Sequence, residues 1–186
     1  MKNLNRNAIA ITVFALVANC GAMASDTEIG YIDFGKFSPP EGGGQFVEVN
    51  IKGNLISMAA RLAQREEPEI AELLRGLKLV RVNVIGLDQD NRAEIEDRVS
   101  GIRARLEKQG WESIVTARNG NDDVRVYLKT RGDEAVEGLV VTVLGKQGEA
   151  VLVNIVGDIQ PEKVAVVGER FNIEPLKELG LAQPKS

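Results

Sequence analysis

The sequence predicts an α+β domain: a single, mainly antiparallel sheet of five or six strands with helices packed on one face and a four-strand meander at its C-terminal end. Three observations predict it. Segments of period-two alternation and segments of helical spacing follow one another in the order β-α-α-β-α-β-β-β-β-α. The last four strand candidates are separated only by short polar gaps containing glycine, which read as hairpin turns. A long amphipathic segment from about Asn91 to Gln109 divides these strands from the earlier ones.

The chain opens with Lys2 and Arg6, an apolar run from Ala8 to Ala18, and Ala22-Met23-Ala24, the small-x-small pattern after which a signal peptidase cuts. Residues 1–24 therefore read as a cleaved signal peptide, leaving Ser25 first and placing the protein in the periplasm or cell envelope. The apolar run is far short of the ~20 residues that span hydrocarbon as a helix. Cys20 raises a second route, lipidation of the cysteine. Its box would be Val17-Ala18-Asn19, and Asn is a poor fit where Gly, Ala or Ser is wanted. Membrane attachment is expected only if Cys20 is lipidated.

Loss of the leader removes two positive charges from a chain of formal charge −4, leaving −6 on about 160 residues. A domain of that size buries roughly 70% of its unfolded surface and needs no disulfide. The acidic balance excludes the clustered Lys/Arg field that a nucleic acid requires.

Residues 25–44 are rich in Gly and Pro but carry Ile29, Tyr31, Ile32, Phe34 and Phe37, so they read as an N-terminal arm ending in a flexible turn at Gly42-Gly43-Gly44. Residues 45–186 form the single domain. Phe46 to Ile51 alternates as a strand, with Val47, Val49 and Ile51 on one side. Leu55, Met58, Ala59 and Leu62 make a helical stripe, and Pro68 suits the first turn of a helix bearing Ile70, Leu73, Leu74 and Leu77. Leu79 to Ile85 returns to period two. Asp88 to Asn91 supplies capping residues for the long helix, whose seam is Ile95, Val99, Ile102 and Leu106, and Gly110 fits its C-terminal cap. The meander strands are Trp111–Ala117, Val124–Thr130, Val136–Leu144 and Ala150–Val156. A last helix from about Pro161 to Phe171 and an apolar tail (Ile173, Leu176, Leu179) close the domain.

The chain has no histidine, and its one cysteine leaves with the leader. Ser-His-Asp triads, cysteine nucleophiles and the usual zinc or copper ligand sets are thereby excluded, and no metal or cofactor is expected. Asp88-x-Asp90 and Asn119-x-Asn121-x-Asp123 resemble calcium loops but lack Gly at the sixth position and Glu at the twelfth, so they read as a cap and a turn. Gly42-Gly43-Gly44 leads into a strand rather than a helix, which argues against a phosphate cradle. Asp33, Glu41, Glu48 and Asp158 are among many carboxylates that could pair for acid/base work, though solvated charge is the plainer reading. Trp111 reads as a core or rim anchor rather than a sugar-stacking platform.

Strand parity sets Val47/Val49/Ile51, Val80/Val82/Val84, Val124/Val126/Leu128, Leu139/Val141/Val143 and Val151/Val153/Ile155 on the helix-covered face. The alternate residues then form an outer face of mixed character. Its candidate partner-binding residues are Arg81, Asn83, Arg125, Tyr127, Lys129 and Asn154. Asn50, Asn83 and Asn154 share a local setting between β-branched residues, although Asn is depleted in strands.

Three segments carry a family resemblance: Gly30-Tyr31-Ile32-Asp33-Phe34; Arg125-Val126-Tyr127-Leu128-Lys129 with Gly138-Leu139-Val140-Val141; and Val153-Asn154-Ile155-Val156-Gly157-Asp158-Ile159. They resemble the bacterial domain-of-unknown-function family numbered 4252. The resemblance implies an exported protein or lipoprotein of Gram-negative bacteria and carries over no catalytic residues. The functional expectation is a non-enzymatic envelope protein that binds another protein, itself or an envelope component through the outer sheet face. The alternatives are a carboxylate-dependent envelope enzyme, such as a glycan hydrolase, and a regulatory module for a membrane-anchored partner.

Overall fold

The computed structural model describes residues 28–119, 122–132, 135–145 and 148–160. The expected leader, the last helix and the apolar tail lie outside them. The elements are β1 (Phe46–Lys52), α1 (Gly53–Ala63), α2 (Pro68–Gly76), β2 (Leu77–Gly86), α3 (Arg92–Lys108), β3 (Glu112–Asn119), β4 (Asp122–Arg131), β5 (Ala135–Gly145) and β6 (Glu149–Ile159). The strands form one six-stranded sheet in the order β1-β2-β6-β5-β4-β3. Every neighbouring pair is antiparallel. The α+β class and the four-strand meander are therefore as the sequence predicts.

The topology follows from α3. Chain leaving β2 must reach the far edge of the sheet, four strand spacings or ~19 Å away, before the meander can return to β2. Seventeen residues of helix supply ~25 Å. α3 ends in a Schellman motif: Gly110 has φ 73°, its N–H donates to the Glu107 carbonyl (3.1 Å), and the Trp111 N–H donates to the Leu106 carbonyl (3.0 Å). Its N-terminus differs from expectation. Asn91 makes no side-chain cap bond to the helix. Its amide turns back instead, donating to the Gly86 carbonyl and accepting from the Asp88 N–H, while Asp88 Oδ1 accepts from the N–H groups of Asp90 and Asn91. The 88–91 segment is thus a self-bonded turn, which satisfies the acceptors that a calcium loop would turn toward a cation.

The predicted parity is realised in the register. Val82 lies opposite Val49 and Val153, Val126 opposite Val141, and Leu139 opposite Leu128 and Ile155. This face forms a core with Ile56 of α1 and Leu73 of α2. The helices, however, do not share one face. Ile95, Val99, Ile102 and Leu106 of α3 pack on the opposite side, with Ile32, Phe34 and Phe37 of the arm and with Ile85, Tyr127, Val140 and Leu152 of the sheet. The central strands carry apolar residues on both sides and need cover on both. α3 and the arm provide the second layer.

Close approach lets the arm cross β5. A Cβ on Gly138 would fall 2.5 Å from the Trp111 ring and 2.6 Å from the Gly30 Cα, so arm and indole both lie directly on that backbone. Trp111 is a core residue. No helix among the described residues is long and apolar enough to cross a membrane.

Candidate functional site

The arm lies across the second face like a bound peptide. Ile32, Phe34 and Phe37 are buried, each worth about 2–3 kcal/mol against exposure. Side chains of the domain hold its backbone. Asn154 donates from Nδ2 to the Gly30 carbonyl (3.0 Å) and accepts at Oδ1 from the Ile32 N–H (3.1 Å). Arg105 donates to the Asp33 carbonyl and Arg98 to the Lys36 carbonyl, both at 2.7 Å. The Arg98 guanidinium also stacks 4.1 Å from the centre of the Phe37 ring. Arg81 donates to the Tyr31 hydroxyl (2.9 Å) and lies 3.6 Å from an Asp33 carboxylate oxygen.

The arm and α3 correct the expectation of an open outer face. Arg81, Asn83, Tyr127 and Asn154 are all buried. Arg125 and Lys129 are half-buried and engaged within the chain. Lys129 donates to the carbonyls of Gln109 and Gly110, placing its charge at the negative end of α3. Arg125 is 3.9 Å from Glu107 and 3.7 Å from Asp123. Arg81 and Asn154, opposite one another on β2 and β6, are brought together beneath the arm, with Asn83 two residues along β2 from Arg81; Tyr127, Arg125 and Lys129 lie along α3. Arg81, Asn83, Tyr127 and Asn154 are covered because a two-sided apolar sheet draws its own chain over both faces. Asn83 is 1% exposed, and neither atom of its amide has a hydrogen-bond partner.

A second polar cluster ties α3 to the meander. Arg103 reaches from α3 to donate to Thr142 Oγ1 (2.9 Å) and pairs with Asp123 at 3.0 Å; Arg118 pairs with the other oxygen of Asp123 at 2.9 Å. Burial pushes the Asp123 carboxyl up, but Arg103, Arg118 and Arg125 together outweigh it and hold the group below its usual value. Burial also lowers the Arg103 guanidinium, with Asp123 pulling the other way.

The carboxylates proposed for acid/base work are dispersed. Asp33 faces Arg81, Asp158 faces Arg131, and Glu41 and Glu48 are exposed. Glu69 and Glu72 share a shallow recess of about 270 Å³ between α1 and α2, lined also by Gln64, Pro68 and Arg75. Both are exposed to solvent. Among the described residues no group of three or more His, Cys, Asp or Glu is placed to hold a metal ion.

Among the described residues, most of the exposed large apolar side chains lie on or beside α1. Ile56 and Ala60 face the core, whereas Leu55, Met58 and Leu62 are 47%, 45% and 77% exposed. Their i, i+3, i+7 spacing puts them in one stripe. Ile51, at the end of β1, is also exposed. Gln64 shares the recess with α2 and so marks the flank of α1 turned toward that helix. Leu62, two residues earlier, lies ~200° around the axis. The stripe therefore faces away from α2. Because α1 follows β1 directly and contacts β2 while α2 reaches β6, that direction is toward the side of the sheet where β1 is the last strand among the described residues. The sequence shows the stripe but not its orientation, because Ile56, Ala60 and Ala63 form a competing apolar face on the same helix.

Two of the three resemblance segments meet the arm here: Asn154 bonds Gly30 and Ile32, and Gly138 lies under Gly30. No curated protein and no solved structure matches the chain. The family model described as Domain of unknown function (DUF4252) matches residues 41–167, more than half of the chain and from the turn before β1 to beyond β6, and the protein belongs to that family.

Proposed function

We propose that this protein is an exported, non-catalytic binding module of the cell envelope, and that it binds through the border formed by the outward flank of α1 and the edge strand β1. The observation that carries the reading is the exposed stripe of Leu55, Met58 and Leu62 on a helix whose opposite face is fully used in the core. Scattered apolar residues on a surface need no explanation, but three in one stripe near β1, the last strand on that side of the sheet among the described residues, favour contact with another surface. Export is supported by the basic start, apolar run and Ala22-Met23-Ala24 of the leader, and by the resemblance to exported proteins and lipoproteins. On this reading processing leaves Ser25 first, and Cys20 leaves with the leader.

The experiment introduces a photoreactive side chain at Met58, Leu62 or, as a control, exposed Ala104 on α3, in cells with an intact envelope. Adducts from the two α1 positions and none from Ala104 are expected in the envelope fraction. Adducts from Ala104 alone would overturn the border reading. The mass of the same material tests export: Ser25 as the first residue is expected, and a diacylated Cys20 would instead tether the protein to a membrane surface.

A further inference from the structure

We infer that the partner at this border is the surface of a bilayer containing anionic phospholipid, on which α1 lies flat with its apolar stripe in the headgroup boundary and its arginines at the phosphates. The inference rests on the border reading and names the partner; it needs no lipid on Cys20.

The first argument is local charge. The chain as a whole is acidic, with 27 Asp and Glu against 23 Lys and Arg. Residues 49–65 nevertheless contain no acidic residue and carry Lys52, Arg61 and Arg65. Lys52 already has a partner within the chain. Arg61 and Arg65 are exposed, and neither has a carboxylate partner among the described residues. By contrast, Arg118 and Arg131, exposed elsewhere, have carboxylates at 2.9 and 3.6 Å. Of the acids that follow, Glu66 sits in the turn after the helix, and Glu69 and Glu72 line the recess on the flank toward α2. With a screening length of ~8 Å in physiological salt, a surface meeting α1 feels its own arginines more than the distant carboxylates that make the chain acidic.

The second argument is the order of side chains around α1. With Leu55 at 0° and ~100° per residue, the buried Ile56 and Ala60 stand at ~100° and ~140°, Arg61 at ~240°, Met58 at ~300° and Leu62 at ~340°. Met58 therefore points directly away from the core, with the leucines on one side of it and Arg61 on the other. A flat surface that meets the helix at Met58 touches the apolar stripe and the cation together. Arg65, just past the helix, adds a second cation. An interfacial helix needs this combination: apolar side chains that enter the headgroup boundary, and long cationic ones beside them whose charge stays at the phosphates.

The extent of the patch favours lipid over protein. Each partner of a stable protein pair buries ~800 Å², contributed by ~20 or more residues. The stripe, Ile51 and the two arginines form a much smaller area, of the kind that holds a helix on a bilayer through a few apolar side chains and opposite charge.

The test is flotation of the exported protein with vesicles of phosphatidylglycerol and phosphatidylethanolamine, set against vesicles of phosphatidylcholine. Binding to the anionic vesicles that weakens as salt is added, and little binding to the others, is expected. Arg61→Ala should weaken it by roughly fivefold, the effect of one cation at an anionic surface. Leu62→Ser should weaken it by about as much or more, while Ala104→Ser on exposed α3 should change nothing. No binding to the anionic vesicles, or binding that ignores both α1 substitutions, would overturn the inference. If the vesicles are not bound while photoreactive Met58 still gives protein adducts in the envelope, lipid is excluded and the border reading stands with a protein as the partner. If the vesicles are not bound and Met58 gives no adduct, both readings fall.

Discussion

Asn83 and Asn154 lie near one another on adjacent strands, each between β-branched residues, yet only Asn154 has partners. The difference sets opposite expectations for the same substitution. Asn154→Leu leaves the Ile32 N–H and Gly30 carbonyl unpaired beneath the arm, and should cost about 2–3 kcal/mol in denaturant unfolding. Asn83→Leu removes two unpartnered amide atoms from a buried site and should be neutral or stabilising by about 1 kcal/mol. A loss at Asn83 equal to that at Asn154 would show that Asn83 has a partner. Asp123 belongs to the same scale. Its carboxyl is held below the ordinary value in the folded chain, so its contribution is present above the unfolded pKa of ~3.9 and is lost as pH falls through the folded value. Asp123→Asn should therefore cost about 2 kcal/mol at neutral pH, and its deficit relative to the parent should shrink below about pH 4. A deficit that does not change with pH would assign the loss to packing rather than charge.

At the scale of elements, α1 provides the sharpest contrast. Ile56→Ala opens a cavity in the α1/α2 core and should cost about 2–4 kcal/mol, while Leu62→Ala on the exposed stripe should change stability by less than about 0.5 kcal/mol. Thermal or denaturant unfolding at dilution decides between them, and the reverse order would mean that the stripe is the core face. The same helix shows what sequence patterns can and cannot convey. The α3 seam was legible because Ile95, Val99, Ile102 and Leu106 are its one apolar face. The shared face of the valine sets was legible because strand period is two, and the meander because its gaps are short and polar. α1 carries two apolar faces at helical spacing. Which one is buried is decided by the small residues Ala60 and Ala63, which let that side approach the sheet. The covering of the second face by the arm was not legible for a related reason. Its Pro- and Gly-rich sequence has no period, so nothing local shows that Asn154, Arg98 and Arg105 hold its backbone across the second face.

At the scale of the whole molecule, both faces of the sheet are closed by the chain itself, and among the described residues β1 and β3 are its edge strands. The arm and α3 cover one side, α1 and α2 the other, and the α1 stripe turns toward the side of β1. Arg81, Asn83, Tyr127 and Asn154, which sheet parity sets on an outward surface, are interior because a two-sided apolar sheet requires two covering layers. Residue-resolved hydrogen exchange is the direct measurement of that closure. The Ile32 amide, which donates to Asn154 Oδ1 beneath the arm, is expected to be protected like the Val47 and Val49 amides inside the sheet. Free exchange at Ile32 would contradict the closing of the second face by the arm.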